Sequence, residues 1–196
     1  MNNEPIYIVT SLHRSGSAMM MRCLEAGGIE AVCDKSADST LNDWLGSDGY
    51  PPNPNGFYQS PRDLLQRQDF VEYMSGKVVK IYLTNLKNLP PAEYKVIFMR
   101  RDQKEILASM LKIKKGKDAG REQRNVENSE TLIPNILSEL AQRQDISLVQ
   151  VNYAQVVSNP ILEFTKLKNN FDIPIDVSAA ASMVEPSLYR FKLENI

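Results

Sequence analysis

The sequence predicts a three-layer α/β/α fold with a mostly parallel central sheet. Three observations lead to this prediction: short apolar runs bounded by breakers, helical patterns between those runs, and a glycine-containing turn directly after the first run. Strands that alternate with helices pair in parallel through right-handed crossovers, and helices then cover both faces of the sheet. The predicted strands are IYIV (6–9), VVKIYL (78–83), YKVIFM (94–99) and ISLVQV (146–151).

Helical patterns fill most of the intervals between the strands. Ser60, Pro61 and Asp63 are typical of an N-cap, a first-turn proline and an acidic first turn, which predicts a helix from there to about Met74. The other predicted helices cover 17–26, about 103–115, about 129–143 and about 160–170.

Two stretches interrupt this alternation. Residues 34–60 are rich in Pro, Gly, Asn and Ser but also carry aromatic residues, which predicts a long ordered excursion. Residues 112–125 are polar and charged with two glycines, which predicts a mobile surface loop. In a parallel sheet, ligands bind beyond the carboxyl ends of the strands, so the segments that follow the strands are the expected site.

Composition narrows the function classes. The chain has 196 residues, 42% of them hydrophobic, which predicts one domain over 1–196. A formal charge of −1 provides no overall field for nucleic acid or an anionic membrane, and no apolar segment is long enough to cross a bilayer, so we expect a cytoplasmic protein. With His13 as the single histidine, we expect no metal site. Cys23 and Cys33 are expected to be reduced thiols.

The segment SLHRSGSAMMMRCLE (11–25) predicts an anion site. A strand, a short turn with glycine and hydroxyls, and then a helix direct backbone N–H groups and the positive end of a helix dipole at one point. The nucleotide pattern G-x-x-x-x-G-K-[ST] is incomplete, because Ser17 follows Gly16 where a lysine would be needed. Arg14 suits a metal-free grip on a phosphate or sulfate.

The chain resembles the sulfotransferases at three places. HRSGSAMM is similar to their 5′-phosphosulfate loop, [KR]-S-G-[ST]-[ST]. YKVIFMRRDQKEILASMLK (94–112) is similar to their 3′-phosphate segment, in which a strand-end arginine is followed eight residues later by a helical serine. VNYAQVVSNPILEFTKLKNNFDIP (151–174) is similar to their Y-E-D-[LMV]-x-x-[ND]-P segment. In order and spacing the resemblance extends over residues 5–176, and the implied fold is P-loop NTPase-like.

The resemblance implies binding of 3′-phosphoadenosine 5′-phosphosulfate (PAPS) and no metal. Tyr153 would lie near the adenine, and Lys80 would approach the leaving oxygen. The R-K-G segment of larger relatives is missing, and Arg190 and Lys192, or basic residues in 112–124, are possible substitutes. The implied donor-binding residues are Arg14, Ser15, Gly16, Ser17 and the amide of Ala18 for the 5′-phosphosulfate, and Arg101 and Ser109 for the 3′-phosphate.

The general base stays open at the sequence level. Tyr82 occupies the position of the histidine in the family pattern K-[TS]-H-x-P, and a neutral tyrosine is a poor base. Asp34 is the first alternative by analogy with relatives that place a carboxylate soon after the first helix, with Asp38 behind it. An ordinary capping role for Asp34 is the competing interpretation. His13 is the remaining candidate.

The resemblance implies transfer of a sulfuryl group to a hydroxyl or amine of a small molecule or glycan, with no nucleic acid or membrane partner. The excursion 34–60 is expected to form part of the acceptor site, where Trp44, Phe57 and Tyr58 could stack on the acceptor. Two other functions stay open: a PAPS-binding protein without catalysis and a small P-loop kinase. The sequence indicates neither the acceptor nor the oligomeric state.

Overall fold

The computed structural model describes residues 4–45, 52–113 and 119–195, with the backbone alone for 41–45 and 195. In the described chain five strands form one sheet in the order β2-β3-β1-β4-β5, and every neighbouring pair is parallel. The predicted α/β class and parallel sheet are therefore confirmed. The strands are β1 (Ile6–Ser11), β2 (Ala31–Val32), β3 (Val78–Lys80), β4 (Tyr94–Arg100) and β5 (Ile146–Asn152).

Helices cover both faces of this sheet, as predicted. On one face, Tyr7 and Val9 of β1 share a buried apolar cluster with α1, α6, α7 and α8. On the other face, Ile6 and Ile8 share a second cluster with α3 and α5. The helices are α1 (Ser17–Ala26), α2 (Lys35–Leu45), α3 (Phe70–Met74), α4 (Gln103–Ile113), α5 (Ala119–Leu140), α6 (Tyr153–Ser158), α7 (Pro160–Asn170) and α8 (Val177–Ser182).

Several sequence predictions about helices need correction. Residues 60–74 do not form one helix: a 3₁₀ turn at Leu64–Gln66 is separated from α3 by Arg67, whose backbone is extended (φ −65°, ψ 131°). At this bend the Arg67 guanidinium binds the Asp69 carboxylate at 2.7 Å. The excursion 34–60 contains α2, which the sequence analysis did not predict.

The surface loop predicted at 112–125 is wrong where the structure describes it. Residues 119–125 are the first turns of α5, which was predicted to begin ten residues later, at 129. The buried residues of α5 include Glu122, Val126, Ser129 and Ile133, spaced four, three and four residues apart. This is the spacing of one helix face, and the charged residues between them face outward. Residues 114–118 lie outside the described chain.

The register brings the ends of four strands to one edge. Ser11 pairs with Met99, Val9 with Lys80 and Arg100 with Asn152, so β1, β3, β4 and β5 all finish beside one another. From β1 the chain first builds one side of the sheet with β2 and β3 and then the other with β4 and β5. The crevice at such a reversal is where open parallel sheets bind ligands.

Candidate active site

A cavity of about 920 Å³ opens at this edge of the sheet. That volume lies near the upper end of the range of about 300–1,000 Å³ for small-molecule sites. Its walls come from the loop after β1, the segment 52–59, the end of β3, the facing parts of α4 and α5, and the segment after α8. Of the predicted donor-binding residues and Lys80, those that line the cavity are Arg14, Gly16, Ser17, Ala18, Lys80, Arg101 and Tyr153, whereas Ser15 and Ser109 do not line it.

The loop between β1 and α1 (residues 12–16), called the anion loop below, has the backbone of an anion site. Arg14 (φ 66°) and Gly16 (φ 91°) are both left-handed, on either side of Ser15, which is buried. Gly16 is the N-cap of α1 and makes no side-chain cap hydrogen bond. Because the first N–H groups of a helix have no partner within it, the amides at the start of α1 face the cavity as donors.

Gly16 is required by space as well as by backbone angle. A Cβ at this position would lie 2.2 Å from Cδ2 of Tyr153, so the tyrosine ring packs directly on the glycine. The ring also makes an edge contact with Tyr189 at 4.9 Å between centroids. Burial raises the pKa of Tyr153 above its ordinary value. This contact joins the anion loop to the end of β5.

Arg14 ties the loop to two other walls. Its Nε donates to the Ser109 hydroxyl at 3.1 Å, its Nη1 to Oδ1 of Asn53 at 3.2 Å, and its Nη2 to the carbonyl oxygen of Pro52 at 3.0 Å. The sequence analysis assigned Arg14 and Ser109 to opposite ends of the donor. Their direct contact means that the two predicted subsites adjoin in this conformation.

Arg101 connects several walls of the site. Its Nε donates to Oε2 of Glu105 at 2.9 Å, and both side chains are almost fully buried, at 7% and 4% exposure. Nη1 donates to the Arg14 carbonyl oxygen at 3.1 Å and Nη2 to the Phe191 carbonyl oxygen at 2.8 Å. The guanidinium also lies 4.8 Å from the centre of the Tyr153 ring. It therefore holds the anion loop from behind, and it lines the cavity.

The segment after α8 closes one side of the cavity. Oε1 of Glu105 accepts from the Tyr189 hydroxyl at 2.7 Å and from the Leu193 amide at 3.1 Å. Burial, followed by the bond to Glu105, raises the pKa of Tyr189. These contacts and the Phe191 carbonyl bring the chain's last described segment onto Arg101 without an R-K-G motif. The sequence analysis anticipated a basic substitute there but did not identify Glu105.

Lys80 extends into the cavity from the end of β3. Its Nζ donates to the carbonyl oxygen of Phe57. Burial lowers the pKa of Lys80 to about 8, with Arg14 acting in the same direction and Asp38 opposing it. The ammonium is thus poorly solvated, and an anion placed beside it would gain more than it would from an exposed lysine.

The two predicted aspartate bases already have structural partners. Asp34 caps α2: its Oδ1 accepts from the amides of Ser36 and Ala37, both at 3.0 Å. The bond from the Ala37 amide, followed by that from the Ser36 hydroxyl, lowers the pKa of Asp34. Asp38 accepts from the amides of Phe57, Tyr58 and Gln59 and so fixes the excursion. Neither aspartate is among the described residues that line the cavity.

The other two predicted bases do line it. His13 and Tyr82 lie with ring centroids 5.4 Å apart, and the Tyr82 hydroxyl donates to Oε1 of Gln59 at 3.1 Å. Phe57 is buried and forms part of the wall. Tyr58 does not line the cavity, and its hydroxyl donates to Oε2 of Glu25 at 2.5 Å. The Trp44 side chain lies outside the described part of the structure.

Sequence analysis missed Glu122, which lines the cavity and is 1% exposed. The reason is that residues 112–125 were interpreted as a solvated loop. The spacing of Glu122, Val126, Ser129 and Ile133 along one helix face was the signal that could have identified it.

Two further results concern the described residues alone. They contain no group of three or more His, Cys, Asp or Glu side chains able to hold a metal ion. None of their helices combines the length and the apolar character needed to cross a bilayer. Cys23 and Cys33 are free thiols, as predicted, and Cys23 is buried.

Comparison with known proteins supports the fold. No protein-family model and no curated protein sequence matches the chain. Among solved structures, it resembles the sulfotransferase domain from the curacin biosynthetic pathway, with 14% identity, a TM-score of 0.55, and coverage of 97% of this chain and 92% of that one. It also resembles sulfotransferase STF1 from Mycobacterium tuberculosis H37Rv, with 14% identity, a TM-score of 0.55, and coverage of 98% and 75%.

A third solved structure, a sugar kinase from Janibacter sp. HTCC2649, gives a TM-score of 0.45 at 14% identity over 94% of this chain and 98% of that one. That similarity is too weak to bear on the fold or the function. The two sulfotransferase structures establish that the chain has an α/β fold similar to theirs.

Replacing Gly16 by alanine should destabilise the fold more than the same change at Gly28. Both glycines have positive φ, but a Cβ at Gly28 would meet nothing within 4 Å, whereas at Gly16 it would overlap the Tyr153 ring. We expect Gly28→Ala to lower the free energy of unfolding by about 1 kcal/mol and Gly16→Ala by about 2–4 kcal/mol. Urea denaturation measures both, and equal losses would show that the ring contact is unimportant.

Replacing Lys80 by methionine should stabilise the fold in a pH-dependent way. The pKa of Lys80 falls from 10.5 to about 8 on folding. Below pH 8 the folded state therefore carries a penalty, on the order of 3 kcal/mol, for its buried ammonium. Above pH 8 the folded lysine is neutral while the unfolded lysine keeps its proton, so the penalty falls steadily until the unfolded lysine also loses its proton near pH 10.5. The stability advantage of Lys80→Met should thus be largest at pH 7 and vanish by about pH 10.5.

Thermal or urea unfolding across this pH range checks the prediction. The exposed residue Lys168 at the end of α7 supplies the control, because Lys168→Met changes the same type of side chain without removing a buried charge. A constant difference between wild type and Lys80→Met across the range would contradict the assigned burial effect.

Proposed function

We propose that the protein transfers a sulfuryl group from PAPS to a hydroxyl or amine of an acceptor. The observation that carries the proposal is the common cavity shared by the uncapped start of α1, Arg14, Lys80 and Arg101. The fold similarity to two sulfotransferase structures supports the same reaction class.

The residues of the cavity fit a donor that carries several negative charges. The left-handed backbone at Arg14 and Gly16 concentrates amide donors at the start of α1, which suits a phosphosulfate. Arg101, which lies behind this loop, and Ser109, which lies on the following helix and is hydrogen-bonded to Arg14, are proposed to bind the 3′-phosphate. The Tyr153 ring, beside the Arg101 guanidinium, lines the same cavity.

The donor, when bound, supplies the sulfuryl group, and the chain supplies positioning and charge stabilisation. Amides of α1 and the Arg14 guanidinium would hold the anionic end in place. The Lys80 ammonium would stabilise the charge that develops on the leaving oxygen. Because these amides and cationic side chains are fixed before the reaction, they need little reorganisation in the transition state. With a pKa of about 8, Lys80 makes the rate sensitive to loss of its proton in weakly alkaline solution.

The acceptor is proposed to be a small molecule or part of a glycan. A cavity of about 920 Å³ accommodates a nucleotide donor together with an acceptor group. Pro52, Asn53 and Phe57 bring the excursion 34–60 to this cavity. The excursion is therefore proposed to form part of the acceptor site.

One observation favours a second function, donor binding without catalysis. Both aspartates considered as bases, Asp34 and Asp38, are bound to backbone amides, and Tyr82 replaces the histidine of the family pattern. A kinase has less support, because Ser17 stands where the phosphate-binding lysine of nucleotide kinases would be.

Calorimetry should show that 3′,5′-ADP binds more than tenfold tighter than 5′-AMP. Each factor of ten corresponds to about 1.4 kcal/mol. Arg101→Gln should abolish most of this preference, whereas Arg100→Gln, a change at the neighbouring exposed arginine, should preserve it. Arg14→Gln should weaken both ligands, because both carry the 5′-phosphate.

Three outcomes would count against the proposal: equal affinity for the two nucleotides, equal effects at positions 100 and 101, or Mg-dependent ATP binding tighter than that of 3′,5′-ADP. Circular dichroism identifies any variant that has failed to fold. If Arg101→Gln does not fold because Glu105 is left buried without its partner, Arg14→Gln and the comparison of the two nucleotides still decide the question.

A further inference from the structure

The cavity has two acidic side chains among its described lining residues, Glu122 and Glu185. Glu185 lies on the side of the cavity formed by α1 and the excursion. Its Oε1 lies 2.7 Å from Nη1 of Arg22 and accepts from Nδ2 of Asn55 at 2.9 Å. Glu185 thus connects α1 to the excursion.

Glu122 lies at the end of a buried helix face. Val126, Ile133 and Leu140 continue this face along α5, and Ile133 and Leu140 belong to the apolar cluster under the sheet. Glu122 stands at the point where that face passes the cavity. Burying a carboxylate costs far more than burying an apolar side chain, so packing alone does not favour glutamate here. A buried carboxylate in a cavity wall is a candidate for proton transfer.

The surroundings of Glu122 suit an acceptor. Met110 and Ile113 of α4 line the same cavity and contribute apolar surface, and Asn125 adds an amide one turn after Glu122. Apart from Ser109 on α4, the proposed donor-binding groups come from the loop after β1 and from the ends of β3, β4 and β5. The part of the wall formed by α5 is therefore separate in sequence from the donor-binding elements.

We propose that Glu122 is the catalytic base that accepts the proton of the acceptor hydroxyl or amine; the inference rests on the proposed sulfuryl transfer. As the acceptor oxygen or nitrogen forms its bond to sulfur, its proton passes to a carboxylate oxygen of Glu122. The bond between sulfur and the bridging oxygen breaks, and its electron pair stays on the phosphate of 3′,5′-ADP. The carboxyl group then returns its proton to solvent.

This assignment identifies a general base, which the family pattern leaves open because Tyr82 stands in place of its histidine. Asp34 and Asp38 are not among the described residues that line the cavity, whereas Glu122 is. His13 and Tyr82 line the cavity and are the competing candidates. Each of these two residues is therefore tested by its own variant in the experiment below.

The experiment uses water as the acceptor, because water needs no specific pocket. Release of sulfur-35 sulfate from labelled PAPS is measured for the full-length wild type, Glu122→Gln and Glu122→Asp. We expect Glu122→Gln to slow release by about 100-fold or more and Glu122→Asp to lie between it and the wild type. The dissociation constant of 3′,5′-ADP, measured by calorimetry, should change less than threefold in both variants.

Chemical rescue separates a catalytic role from a structural one. Sodium formate should restore part of the rate of Glu122→Ala, whereas sodium chloride at the same ionic strength should not. Glu127→Gln is the matched control, because Glu127 is an exposed glutamate on the same helix, and it should release sulfate at the wild-type rate.

Several results would overturn the inference: wild-type release by Glu122→Gln, equal losses of release and of 3′,5′-ADP affinity, or no rescue by formate. A loss confined to His13→Asn, Tyr82→Phe or Asp34→Asn would assign the base elsewhere. A wild type that binds 3′,5′-ADP but releases no sulfate would leave the donor site intact and contradict the catalytic step. A wild type that does not bind 3′,5′-ADP would contradict the proposed function itself.

Discussion

The packing of the Tyr153 ring on Gly16 is the constraint on which the site depends. It requires a residue without a side chain at position 16 and fixes the distance between the loop after β1 and the end of β5. The left-handed backbone at Arg14 and Gly16 then turns the amides of α1 toward the cavity. Without this close contact the strand ends would still lie side by side, but the loop would lose its packing against the end of β5.

Arg101 and Glu105 form a second junction behind the loop. The guanidinium reaches the Arg14 carbonyl oxygen, and the carboxylate binds Tyr189 and the Leu193 amide. An almost fully buried ion pair is tolerated when hydrogen bonds satisfy the remaining atoms of both groups, and here they come from the loop after β1 and from the segment after α8. The junction thus links the position of the loop to that of the closing segment.

Much of the fold could be predicted because its strands and turns are determined by residues that are close together in the sequence. The runs 6–9 and 94–99 are apolar because most of their residues are buried, and HRSGS marks the turn by composition alone. The excursion was harder, because α2 depends on a cap from Asp34 and on the link from Asp38 to residues 57–59, about twenty positions away. The contacts of Glu105 with Tyr189 and Leu193 cross more than eighty residues, and no local pattern predicts them.

The balance of charge in the cavity follows from these contacts. Arg22 faces Glu185 and Arg101 faces Glu105, so these two arginines are compensated within the chain. Lys80 binds a carbonyl oxygen, which satisfies a donor without neutralising the ammonium. Around the loop after β1, the attraction for an anion therefore comes chiefly from Lys80, the guanidinium of Arg14 and the start of α1.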